Sequence, residues 1–305
     1  MFGHTIHFQP DRDIPDLSGK VIIVTGGNVG LGLESIRQLA KHNPAHIYLA
    51  ARSKEKAEAA IDQIKASDPS SAPISFLSLD LSSFDSIAAA ARAFNACQSR
   101  LDILLNNAGI MMTAEGQTKE GYEIQFGTNH MGHALLIQLL LPVLQETAKS
   151  NPETRVINLS SASELFAPTD IYKLDELKTK MTHRSTQARY SISKIANIHY
   201  ISALAHRYTD IKFISLHPGM VATNLHHNAS GMFLKPFLNL AFSAFAAPAH
   251  RGALNQLWAS VSPDVKTGEY YAPVGVSGKG SKLSRNRELQ DLLWDWTQDE
   301  IKGCL

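Results

Sequence analysis

The strongest constraint on this chain is a rhythm in which short β-branched runs alternate with longer helical patterns. The strand candidates are "KVIIVT" (20–25), "HIYLAA" (46–51), "ISFLSL" (74–79), "LDILLN" (101–106), "RVINLSS" (155–161) and "KFISLH" (212–217). Between them lie "LGLESIRQLAKH", "KEKAEAAIDQIKA", "FDSIAAAARAF", the span 122–148 and "YSISKIANIHYISALAHRY", each with apolar residues at three- and four-residue steps. That spacing is the mark of an amphipathic helix. Strands separated by helices need crossover connections, so a doubly wound parallel sheet with helices on both faces is expected, an α/β fold. No repeat and no Pro/Gly/Ser-rich linker divides the 305 residues, which predicts a single domain. Residues 1–18 form an extension ahead of the first strand. Two stretches interrupt the rhythm: 162–189 is a polar and charged excursion, and 224–247 is Phe-rich and nearly uncharged.

Composition narrows the class of function. The formal charge is +1 with no long run of one sign, which argues against a dedicated nucleic-acid binder. Two cysteines far apart, Cys97 and Cys304, support neither a disulfide framework nor a zinc site. The first twenty residues are too polar for a signal peptide or membrane anchor. A soluble cytoplasmic protein without a transmembrane segment is expected.

"VTGGNVGLGLES" runs from the first strand directly into a helix, with Gly26, Gly30 and Gly32 in a T-G-x-x-x-G-x-G pattern. Glycine allows so tight a turn and lets backbone come close to a diphosphate, while the N–H groups at the helix start favour the anion. The end of the second strand selects the nucleotide. An acid there would take the ribose hydroxyls of NAD and repel a 2′-phosphate. Here the strand ends in Arg52, and no acid occurs before Glu55. A guanidinium grips a phosphate through paired hydrogen bonds, so NADP(H) is the expected cofactor.

"YSISK" places Tyr190 and Lys194 four residues apart, on one face of a predicted helix. Reduction of a ketone by hydride leaves an alkoxide, and a phenol can protonate it. A nearby ammonium stabilises the phenolate and is expected to pull the phenol toward the working range. Paired serines end "RVINLSS", two amides and a glycine follow in "LLNNAG", and "HPG" closes the sixth strand, all at the sheet edge where ligands bind in such folds.

Together "TGGNVGLG", "LDL" (79–81), "NNAG" (106–109), "TNHMG" (128–132), "SS" (160–161), "YSISK" and "HPG" make the chain resemble a short-chain dehydrogenase/reductase, from about Lys20 to Thr223. The wording "LDILLNNAGIM", "NHMGHALL" and "SKIANI" is similar to the retinol-dehydrogenase-like branch, including fungal enzymes of specialised metabolism. The resemblance implies a Rossmann fold and assigns roles. Tyr190 would be the general acid/base, and Lys194 would tune it and bind the nicotinamide ribose. Ser161 would polarise the substrate carbonyl, rather than Ser160, which strand alternation turns to the other face. Asn129 would stabilise a helix irregularity and anchor a water leading from the lysine to solvent. For the cofactor, Gly26, Leu31 and Gly32 would line the diphosphate, and Asp80 and Leu81 the adenine. Asn107, Ala108 and Gly109 would support the adenosine side. Pro218, Gly219, Val221 and Thr223 would hold the carboxamide and phosphates. Two departures stand out: the branch often begins with a membrane anchor, absent from this sequence, and the interval from Ser161 to Tyr190 is long.

The implied reaction interconverts a ketone or aldehyde and an alcohol. The Phe-rich 224–247 segment, read as a substrate lid, suggests a bulky hydrophobic small molecule. The alternative is a dinucleotide-binding member with a sensor, scaffold or non-redox role. Relatives pair through the helices after strands four and five or remain monomers, so a homodimer is one arrangement. His130 and His133 lack a carboxylate to complete a ligand set, so no metal is expected and helix packing is the favoured reading. His226 and His227 suit a loop or lid, and Trp294 and Trp296 suit C-terminal packing.

Overall fold

The computed structural model describes residues 6–219, 221 and 247–305. Seven strands run parallel in the order β3-β2-β1-β4-β5-β6-β7. They are β1 (Val21–Thr25), β2 (His46–Ala51), β3 (Ile74–Ser78), β4 (Ile103–Asn106), β5 (Arg155–Leu159), β6 (Lys212–Leu216) and β7 (Tyr270–Tyr271). The helices that matter for the site are α1 (Gly30–Ala40), α2 (Lys54–Ser67), α3 (Phe84–Cys97), α4 (Gly132–Ala148), α5 (Thr186–Arg207), α6 (Leu254–Val261) and α7 (Arg287–Ile301). This is the doubly wound Rossmann arrangement the alternation predicts. β2 keeps the sequence-based bounds 46–51, and the other five expected strands begin or end one or two residues inside theirs. The two-residue β7 is an addition, too short to leave a periodic signal.

Both faces of the sheet are covered, so β1 and β5 are buried at every position. One core packs α3, α4 and α5 against Val21, Ile23, Leu104, Val156 and Phe213. The other packs α1, α2 and α6 against Ile22, Val24, Leu105, Ile157 and Ile214. Consecutive residues of one strand thus feed opposite cores, and a one-residue slip would exchange them. Trp294 stacks on Tyr200 with ring centroids 5.4 Å apart, and Trp296 meets Tyr122 and Phe126 edge-on or tilted at 6.0 Å, so the two tryptophans fasten α7 to the α5 layer. No helix among the described residues is long and apolar enough to cross a membrane.

Strand order reverses between β1 and β4, which opens a crevice at their carboxyl ends. The span 122–148 is not one regular helix. Ile124–Phe126 is α-helical, Gly127–Met131 is a π-turn, and α4 continues from Gly132. Asn129 sits in this irregular turn and is buried there.

His130, His133 and His199 are fully or almost fully enclosed, and burial lowers them to about 3, about 4 and about 4. They stay neutral in the fold while an unfolded chain protonates near 6.5. Stability is therefore whole above that value and is lost as pH falls toward the folded-state values, by up to about 1.4 kcal/mol per pH unit for each histidine. Urea unfolding at about pH 7 and about pH 5 should show the loss, and His130→Gln should reduce its slope. Equal stability at both values would refute it.

Candidate active site

The glycine turn departs from β1 through Gly26, whose φ of +66° suits a residue without Cβ. Gly26 N–H donates to Ala50 O at 2.8 Å, pinning the turn to β2. Gly30 opens α1, and Leu31 is buried behind it. A Cβ on Gly32 would lie 2.5 Å from Gly26 O and 2.6 Å from Asn107 Nδ2, so no other residue fits. The N-cap of α1 is Val29, 48% exposed, which offers the first-turn N–H groups no side-chain acceptor. By contrast α2, α3, α5 and α7 are capped by Ser53, Ser83, Ser185 and Asn286. Uncapped donors on a glycine turn fit the diphosphate of a dinucleotide.

The loop after β4 is bound to that turn. Asn107 Nδ2 donates to Thr25 O at 2.9 Å, and Ala108 N–H donates to Thr25 Oγ1 at 2.9 Å. Gly109 lies where a Cβ would stand 3.2 Å from Asn129 Oδ1 and 3.4 Å from Lys194 Nζ. At the far edge, Asp80 caps its own turn by accepting from Ser82 N–H and Oγ–H, and Leu81 packs under Gly132. Arg52 is exposed one residue beyond β2, and the nearby Glu55 accepts from Ser53 Oγ at 2.9 Å.

Asn129, Ser161, Tyr190 and Lys194 come together from three segments. Asn129 is fully buried, and its amide is well used: Oδ1 accepts from Ile110 N–H at 2.8 Å, and Nδ2 donates to Ile110 O and Ser193 Oγ, both at 2.9 Å. Ser193 in turn donates to Tyr190 O. Ser160 Oγ donates to Lys194 O at 2.7 Å, whereas the Ser161 hydroxyl accepts from Ser163 N–H at 3.1 Å and faces the Tyr190 phenol, whose ionisation it favours. Lys194 Nζ donates to Leu159 O at 3.1 Å and lies 5.7 Å from the Tyr190 ring centroid. That leaves the ammonium donors for further partners such as ribose hydroxyls.

The electrostatics differ from the sequence-based expectation. Burial dominates both groups: it raises Tyr190 to about 12, opposed by the Ser161 hydrogen bond, and lowers Lys194 to about 8. Enclosure disfavours phenolate and ammonium alike, and the lowering of the phenol expected from the lysine does not show.

At the end of β6, Pro218 and Gly219 are half-buried, and Gly219 N–H donates to His217 Nδ1 at 3.1 Å. Val221 is buried and bridges to Ala247. Thr223, His226, His227 and residues 224–246 of the expected lid lie outside the described residues. No metal-binding cluster occurs among the described residues.

Residues 20–170 match the short chain dehydrogenase family model. A short-chain dehydrogenase/reductase of Armillaria gallica is 39% identical over 95% of this chain and 93% of its own. The chain belongs to the short-chain dehydrogenase/reductase family. Retinol dehydrogenase 12 of Mus musculus is 35% identical over 92% of this chain and 85% of its own. Among solved structures, an uncharacterised protein of Mycobacterium paratuberculosis superposes with a TM-score of 0.74, 25% identity and 97% coverage of both chains. The Pseudomonas aeruginosa RhlG/NADP active-site complex gives 0.65 at 25% identity, covering 85% of this chain and 96% of that one.

Several residues of this dehydrogenase/reductase site escaped sequence reading. His133, read as helix packing, joins the network. A carbonyl only accepts, so Nδ1–H donates to Asn129 O at 3.0 Å. Nε2 then accepts from Thr25 Oγ1, also at 3.0 Å. Glu123 accepts from Gln125 N–H, Phe126 N–H and buried Arg189, which precedes Tyr190. It thereby ties the π-turn segment to α5. Gln256 on α6 donates toward Ser35 Oγ, Leu31 O and Asn107 Oδ1, bracing the glycine turn from behind. Met112 holds a φ of +51° because its N–H donates to Gln125 Oε1, and Gln125 reaches Thr186 at the start of α5. Each is a tertiary contact between residues that look ordinary in isolation.

Gly32→Ala should weaken dinucleotide uptake at least about tenfold and destabilise the fold by about 1–3 kcal/mol, because the methyl must displace backbone. Titration calorimetry and thermal unfolding read the two effects. Unchanged dinucleotide affinity would contradict this role for the turn.

Proposed function

We propose that this short-chain dehydrogenase/reductase uses NADP(H) to interconvert a carbonyl and an alcohol on a hydrophobic substrate. The convergence of Ser161, Tyr190 and Lys194 with the Asn129 amide carries the reading. When bound, the cofactor supplies or accepts hydride at the nicotinamide ring. Tyr190 donates its proton to the oxygen of the forming alkoxide, and Ser161 donates a hydrogen bond to the same oxygen. The high proton affinity of buried Tyr190 keeps it loaded as an acid at neutral pH. Lys194 binds the ribose and places positive charge where phenolate develops, replacing solvation lost on burial. Asn129 holds the Ile110 backbone and Ser193, so the loop beneath the cofactor and the tyrosine's helix keep one spacing.

Arg52 supports the choice of NADP(H): it is exposed at the end of β2, free to meet a 2′-phosphate, while Glu55 is turned to Ser53. RhlG, a structural relative, was solved with NADP. Exposed Leu165 and Phe166, just beyond Ser161, support an apolar substrate. So do the names of two relatives, retinol dehydrogenase 12 and the polyprenol dehydrogenase of Danio rerio, which refer to apolar alcohols. A role in specialised metabolism fits the fungal relatives from Armillaria gallica and Aspergillus calidoustus.

NADPH oxidation with a panel of apolar ketones tests the reading. Tyr190→Phe should lower kcat by about 10²–10⁴ with the dinucleotide still bound; a variant that turns over normally would remove the tyrosine from the mechanism.

Arg52→Ala should weaken NADPH binding about tenfold to a hundredfold, the worth of a charge-assisted hydrogen bond, and leave NADH binding unchanged. Fluorescence titration with both dinucleotides measures it. Parallel loss for both would return Arg52 to the status of a surface charge.

A further inference from the structure

Tyr270 opens β7, and its side-chain direction follows from the ladder. Asn158, Ser215 and Tyr270 are successive register partners across β5, β6 and β7, so they face one side of the sheet. Ser160, two residues beyond Asn158, shares that side and reaches Lys194 O, which identifies it as the α5 side. Tyr271 turns the other way, against Trp258 at 4.9 Å. Tyr270 therefore stands in the layer that holds Tyr190. Its ring lies 6.0 Å from that of His217, at the start of the turn after β6.

The Tyr270 hydroxyl is buried and has no hydrogen-bond partner among the described residues. The other buried tyrosines are not left so. Tyr48 accepts from Gln98, Tyr122 donates to Glu300, Tyr200 accepts from Gln138 and Gln298, and Tyr271 accepts from Lys266 N–H. Tyr190 has Ser161. Polar groups around Tyr270 are engaged elsewhere: both carboxylate oxygens of Glu164 accept from Ser281, Ser284 Oγ donates to Ser281 O, and Ser202 Oγ donates to Gly268 O. Burial above all disfavours ionisation of this phenol, and its neighbours Glu164 and Tyr190 add to that in the same direction. A phenylalanine would fill this place without leaving a buried donor unmade, which is costly.

We propose that the Tyr270 hydroxyl is a substrate-positioning contact, donating a hydrogen bond to a second oxygen of the substrate beside the carbonyl held by Ser161 and Tyr190. This rests on the proposed reading of the site and narrows the substrate class to apolar ketones with a hydroxyl or second carbonyl a few bonds from the reacting carbon. The contact belongs to the phenol and not to the ring, so removing the oxygen alone should separate binding from chemistry.

The test compares the full-length protein with Tyr270→Phe, using NADPH and paired ketones of one carbon skeleton, with and without the second oxygen. For the oxygen-bearing member, kcat/KM should fall about tenfold, chiefly through KM. For the plain ketone it should stay within about twofold. The melting temperature without substrate should hold or rise, because the variant loses a buried unpaired group. A lowered melting temperature would show that the hydroxyl serves the fold, and would overturn the proposal whether or not turnover is seen. Equal effects on both ketones, or none, would overturn it while leaving Tyr190 in place. A wild type inert toward every ketone, with Tyr190→Phe no different, would sink the reading of the site and this contact together.

Discussion

The amide of Asn129 is the joint on which the site depends. Three chain segments distant in sequence meet at it: the loop after β4 through Ile110, the π-turn that carries Asn129, and α5 through Ser193. A buried amide left without partners would cost several kcal/mol, so the geometry satisfying it is strongly preferred over small displacements. His133 extends the constraint to β1, because its ring spans from the Asn129 carbonyl to Thr25, and Thr25 accepts from Ala108. The glycine turn, the cofactor-side loop and the tyrosine helix are thus parts of one hydrogen-bonded body. The π-turn is what makes this available: a regular helix through 127–131 would turn the same side chains by a different angle.

A second constraint follows from how deeply Tyr190 and Lys194 are enclosed. Burial makes each resist ionisation, the phenol by rising to about 12 and the ammonium by falling to about 8. The neutral phenol is therefore the resting form, suited to giving a proton when negative charge appears on an oxygen beside it. In the proposed reaction, charge developing there would meet few competing water dipoles, so Ser161 and Lys194 would act on it in a weakly screened setting. Among the described residues Lys194 Nζ meets the Leu159 carbonyl and the Tyr190 ring rather than a carboxylate. A carboxylate partner would neutralise the charge that the phenolate needs.

Sequence made the frame legible because the frame is periodic. Alternating strand and helix patterns carry topology, and Gly26, Gly32 and the Tyr190–Lys194 pair carry chemistry at fixed local spacing. What stayed hidden is non-local. Glu123 and Arg189 are 66 residues apart and form a buried pair that locks α5 to the π-turn, yet neither stands out from ordinary helix-surface charges. Gln256 is 149 residues from the Asn107 it braces. His133 looks like a packing residue in sequence because the carbonyl and hydroxyl its ring bridges, Asn129 O and Thr25 Oγ1, are brought to it only by the fold. β7 contributes two residues, below any pattern that alternation can mark.

The same contrast separates cofactor binding from substrate choice. The dinucleotide side is built from strand ends and a turn whose backbone does most of the work, so its requirements are written as glycines and small residues in fixed order. The proposed substrate side would be built from side chains delivered by different elements: Ser161 from the end of β5, Tyr190 from α5, His217 from the end of β6 and Tyr270 from β7. Their positions relative to one another are set by sheet register, and the register of β7 against β6 rests on only two pairs, Ser215 with Tyr270 and Leu216 with Tyr271. Asn255 compensates by donating to both His217 O and Tyr271 O while accepting from Gly275 N–H, which stitches the ends of the two strands where the ladder is shortest. On the proposed assignment of Tyr270, substrate selectivity would hang on this tertiary clamp, far from the motifs that identify the family. Changes at such clamps can re-aim the substrate-side residues while the cofactor side stays as it is.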